Sequence, residues 1–101
     1  DLSTIQTQAE IYYSGTGVNT YGTAGTSCTA AGSLFVDATI ARAISAADNA
    51  NGAGSVACNN STTAYAIQAQ LLADNTKYWC IDSTGNAKQE TAALGTATVC
   101  S

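Results

Sequence analysis

The sequence predicts an α+β domain: an N-terminal α-helix, truncated at its start, packed on a small antiparallel β-sheet of about three to four strands, with a second helix in the connection between them. Three observations carry this expectation. Apolar residues recur at helical spacing near the start, the stretches TAYAIQAQLL and KYWCID alternate with a period of two, and four cysteines stand singly in a Gly/Ser/Thr-rich background.

At 101 residues the chain is one domain with a thin core. Alanine supplies 20 of its apolar residues, whereas Leu, Ile, Val, Phe and Trp together supply 17, so the area available for burial is modest. The cysteines are expected to compensate. Cys28, Cys58, Cys80 and Cys100 form no C-x-x-C pair and the chain has no histidine, which fits disulfides made in an oxidising compartment rather than a zinc site.

Residues 1–13, DLSTIQTQAEIYY, place Leu2, Ile5, Ala9, Tyr12 and Tyr13 on one helical face, and Gly15 and Gly17 stop the pattern. The pattern begins abruptly, as though the helix continued upstream. Ile11 falls on the opposite, polar face, either as a solitary exposed residue or as a contact made only in an assembly. Residues 14–32 read as a long surface loop, ordered because it carries Tyr21 and Cys28. Ser33 is the expected N-cap of a second helix reaching about Ala50, with Val36, Ile40, Ala43, Ile44 and Ala47 as its buried stripe and Asn51-Gly52 as its stop.

After a connection containing Cys58, residues 63–72 read as a strand with Tyr65, Ile67, Ala69 and Leu71 inward and Ala64, Ala66, Gln68 and Gln70 on a solvated face. ADNT then turns into KYWCID, in which Trp79 and Ile81 share one face and Tyr78 and Cys80 the other. The turn DSTGN suits side-chain capping by Asp82 and Ser83, with Gly85 or Asn86 at positive φ, and AKQET returns as a charged edge strand. Residues 92–101 have little pattern and depend on Cys100 as an anchor. Four cysteines allow three pairings, and spacing does not choose among them. Neighbour pairing, Cys28 with Cys58 and Cys80 with Cys100, is the favoured one.

No residue set offers catalysis. Without histidine the usual base and commonest metal ligand are missing, and the seven acidic residues stand scattered. No catalytic, cofactor-binding or metal-ligating residues are therefore assigned. Asp82, Ser83, Thr84 and Asn86 could in principle present oxygens to calcium, but a self-bonded turn explains them with one carboxylate. Seven acids against three bases, with no basic cluster, exclude direct sequence-specific nucleic-acid binding. Asn59-Asn60-Ser61-Thr62 holds two overlapping N-x-S/T patterns, which matter only in a glycosylating host.

The helix ending in AEIYY, the Gly/Asn/Tyr loop, AYAIQAQL, YWCIDSTG and a near-terminal cysteine together resemble a type IV pilin, of the major or pilin-like subunit class. The resemblance covers nearly the whole chain, and YWCIDSTGNAKQE is its strongest part. It implies a non-catalytic subunit of an extracellular pilus filament serving attachment, twitching motility or DNA uptake, anchored in the inner membrane before assembly. The implied partners are other pilin subunits and the assembly machinery, with host surfaces, phage or DNA possible. The leader, the peptidase site, the Glu near the mature N-terminus and the apolar half of the helix are not in this sequence, so the chain is expected to be a soluble headgroup. Residues 1–14 are then the first-helix remnant, 15–62 the helix-to-sheet connection, 63–91 the sheet and 92–101 the disulfide-anchored tail. Leu2, Ile5, Ala9, Ile11 and Tyr12 are the expected helix-packing and assembly residues. Two other readings are a type II secretion pseudopilin, favoured by calcium binding near the C-terminal loop, and a free secreted carbohydrate-binding module using Tyr12, Tyr13, Tyr21, Tyr65, Tyr78 and Trp79.

Overall fold

A computed structural model describes residues 3–52, 55–74 and 76–100. Its elements run α1 (Ser3–Ser14), a 3-10 turn (Leu34–Val36), α2 (Ala38–Asn51), β1 (Val56–Asn60), β2 (Tyr65–Gln70), β3 (Tyr78–Asp82) and β4 (Ala87–Glu90). The four strands form one antiparallel meander in the order β1-β2-β3-β4. This is the expected α+β class.

Periodicity located α1 because a helix buries every third or fourth residue. Ile5 and Ala9 are fully buried and share one core with Ile67 and Ile81, while Tyr12 and Tyr13 pack partly against it. Leu2 lies outside the described residues. The loop that follows is pinned rather than free. Tyr21 is buried between Tyr13 and Tyr65, with ring centroids 4.7 and 5.1 Å away, and its N–H donates to Thr62 O. A bridge between Gly25 and Asn60 and the disulfide from Cys28 to Cys58 tie the loop to β1.

The second helix departs from expectation at its start. Ser33 Oγ accepts from Phe35 N, but it caps only the 3-10 turn. The chain then extends at Asp37 (ψ 133°), whose carboxylate caps α2 by accepting from Thr39 N and Ile40 N. A short acidic side chain directly before a helix satisfies its first free amides, so Asp37 wins the cap over Ser33. The break turns Val36 out to 47 % exposure, off the stripe that Ile40, Ile44 and Ala47 bury. Gly52 ends α2 at a φ of 98°.

Two corrections concern the sheet. Residues 56–60, expected to be part of a connection, form β1, paired with β2 through the register Cys58↔Ile67 and Asn59↔Ala66. VACNN has only one β-branched residue and carries almost no strand signal of its own. Second, β2 has no solvated face: Tyr65 through Ala69 are all buried. Leu71 falls after β2 and is half-buried. The residues after β4 run across the far face of the sheet, where Leu94 and Cys100 form a second small core with Ala66 and Cys80. Cys80 and Cys100 are joined in the second disulfide, so both bonds follow neighbour pairing.

Candidate functional site

The far face of the sheet is organised by three buried polar side chains, one from each of β1, β2 and β3. Strand pairing sets Asn59, Ala66 and Asp82 side by side in one row and Gln68 beside Cys80 in the next. Each polar side chain grips the tail backbone. Asn59 Nδ2 donates to Gly95 O and Ala97 O, both at 2.8 Å. Gln68 accepts from Leu94 N at 2.8 Å, and its Nε2 donates to Ala92 O and Glu90 Oε1. Asp82 Oδ2 accepts from Cys100 N at 2.7 Å. A patternless segment is thus held because buried polar side chains replace the strand partner that it lacks.

Asp82 also builds the turn. Its Oδ1 accepts from Thr84 N, Thr84 Oγ1 and Asn86 N, and its Oδ2 from Asn86 Nδ2. Burial penalises the charge, but the bonds from Thr84, Asn86 and Cys100 outweigh that penalty and draw the pKa down to about 2. An ionised carboxylate offers about four lone-pair positions, so five donors leave none for a cation. Calcium at this turn would have to displace the tail. Cys80, Glu90 and Cys100 also bring potential ligand atoms within 4.8 Å of one another. There the two sulfurs are already bonded to each other, and a disulfide is not the thiolate ligand that metals take.

The aromatic residues weighed for carbohydrate do not make a platform. Tyr21 and Tyr65 are buried, and burial pushes the Tyr21 hydroxyl up to about 12. Tyr12 and Tyr13 are half-buried. Trp79, 39 % exposed, and half-buried Tyr78 are successive residues of one strand and so point to opposite faces. The N-x-S/T asparagines are likewise spent inside the fold. Asn59 and Asn60 are 2 % and 3 % exposed, and Asn60 Nδ2 donates to Tyr21 O, Thr23 O and Ser61 O.

The expected assembly residues separate into two groups. Ile5 and Ala9 face the core and Tyr12 flanks it, whereas Ile11 is 54 % exposed on the outer face of α1. Trp79, set by alternation on the same face as buried Ile81, is partly open because α1 covers the other end of β3. There Gln6 Nε2 donates to Asn86 O beyond the end of β3. The clamp residues Asn59 and Gln68 were missed: one sat in an apparent connection and the other on an apparently solvated face. No helix among the described residues is long and apolar enough to cross a membrane. Comparison with protein-family models, curated proteins and solved structures finds no match.

Proposed function

We propose that this chain is a non-catalytic structural subunit of an extracellular filament of the type IV pilus kind, used for attachment, motility or DNA uptake. Before assembly the subunit is anchored in the inner membrane by a helix preceding α1. Its partners are other subunits and the assembly machinery. The observation that carries this reading is the division of α1: one face buries Ile5 and Ala9 in the head, and the other holds Ile11 out at 54 % exposure. A helix with a second apolar position turned outward suits a head that packs against neighbours along a shared stem. The order of elements, a helix before an antiparallel meander with a disulfide-bound tail, supports the same reading.

The test is assembly of the full gene product together with its pilus machinery. Surface filaments containing this chain are the expected result, and Ile11→Asp should reduce their number while the secreted head stays folded. Filaments that never contain the chain would end the proposal.

A further inference from the structure

The end of the chain is held in place by more than its sulfur bond. Strand side chains grip the backbone of residues 92–100: Gln68 bonds Ala92 O and Leu94 N, Asn59 bonds Gly95 O and Ala97 O, and Asp82 accepts from Cys100 N. None of these bonds involves a cysteine side chain, so they keep Cys100 beside Cys80 when the bond between the two sulfurs is opened.

A third ligand-bearing side chain is already there. Cys80 lies opposite Lys88 and Tyr78 opposite Glu90, which puts Glu90 diagonal to Cys80 on the same face of neighbouring strands, within reach of a long side chain. Both sulfurs and a carboxylate oxygen of Glu90 lie within 4.8 Å of one another, and all three side chains are buried. Gln68 Nε2 donates to Glu90 Oε1 at 2.8 Å and so orients the carboxylate, as the carboxylates that bind metals are commonly oriented. Around a tetrahedral zinc ion, with bonds of about 2.0 to 2.3 Å, ligand atoms stand about 3.3 to 3.8 Å apart, so small side-chain movements close this cluster on an ion.

Two thiolates and a carboxylate suit a thiophilic divalent cation, with water as the fourth ligand. Cys28 and Cys58 belong to no such group among the described residues. The chemistry is therefore particular to one of the two disulfides.

We propose that the reduced form of this chain binds Zn2+ through Cys80, Cys100 and Glu90, and that closing the disulfide releases the ion. A small dithiol is the reductant: it gives two electrons and two protons to Cys80 and Cys100 and leaves as a disulfide. The two protein thiols then pass their protons to solvent as their sulfurs bind the ion. Exchange with an oxidised dithiol reverses both steps: the Cys80–Cys100 bond re-forms, the oxidant takes up two electrons and two protons, and Zn2+ leaves. Because the ion binds only the reduced side, Zn2+ favours opening this disulfide. The site goes beyond the filament reading and does not depend on it.

The test titrates the full chain with Co2+, after reduction by a phosphine in the absence of oxygen, and then with Zn2+ in competition. Co2+ should produce a thiolate-to-cobalt charge-transfer band that Zn2+ bleaches. Glu90→Gln, which still accepts from Gln68, should weaken binding more than about tenfold, since even a side chain that only hydrogen-bonds a metal ligand is worth that much. Cys80→Ser should abolish the band and Cys28→Ser should retain it. Zn2+ should likewise raise the Tm of the reduced wild type and of Cys28→Ser but not that of Cys80→Ser. An unfolded chain chelating through its four thiols would respond equally to the two serine substitutions and ignore Glu90→Gln. That pattern, or no band in the reduced wild type, would overturn the site.

Discussion

Asp82 Oδ2 accepts the N–H of Cys100 at 2.7 Å, two residues along the strand from the cysteine to which Cys100 is bonded through sulfur. One carboxylate therefore shapes the turn after β3 and fastens the end of the tail across the sheet.

That relationship makes stability depend on pH at the acid end. The Asp82 pKa falls from 3.8 to about 2 on folding, so its contribution is fully present above about pH 4 and disappears as pH drops through about 2. The shift corresponds to about 2 kcal/mol. Asp82→Asn should lose about that much at pH 7, measured by denaturant unfolding with the disulfides intact. The gap from wild type should close near pH 2. A gap of the same size at both pH values would refute the carboxylate clamp.

Replacing Gln68 with alanine leaves Leu94 N and Ala92 O without their partners. Each buried group left unpaired costs about 1 to 3 kcal/mol. The tail should loosen before the sheet does, so the Leu94 amide should exchange with solvent far faster while the β2 and β3 amides keep their protection.

The two disulfides close loops with sequence separations of 30 and 20 residues. Removing either pair by serine substitution should cost roughly 3 to 4 kcal/mol, with the longer loop slightly the more costly. Cys28 is half-buried, whereas Cys80 and Cys100 are 0 % and 5 % exposed. Limited reduction followed by alkylation should therefore label Cys28 and Cys58 first. Earlier labelling of Cys80 or Cys100 would mean that the tail opens readily.

On α1, neighbouring positions should behave oppositely. Ile5→Ala removes a fully buried side chain and should destabilise by about 2 to 5 kcal/mol. Ile11→Asp should shift stability by no more than about 0.5 kcal/mol, as exposed substitutions do. Similar Tm losses for the two would contradict the burial pattern of the helix.

Legibility followed the reach of the interactions. The inward faces of α1 and α2, the β2–β3 hairpin and the capping of the DSTGN turn by Asp82 were readable because contacts a few residues apart produce them, whereas Ser83, expected to cap the same turn, instead accepts from Tyr65 N, 18 residues away. Gly85 does take a positive φ, of 94°. The second helix was misjudged only where two caps, Ser33 and Asp37, stand four residues apart in sequence. β1 was invisible because VACNN becomes a strand through its pairing with β2 and its bond to Cys28, neither of which is local.

The sequence by itself determined the α+β class, the helical and strand periods and the presence of four cysteines poised to bond, because these are properties of neighbouring residues. Tertiary structure alone decided that Gln68 and Asn59 are buried and that Asp82 bonds the end of the tail. Whether a polar side chain is solvated or enclosed depends on what arrives opposite it. Here the partners lie 18 to 38 residues away, beyond the range of any local pattern.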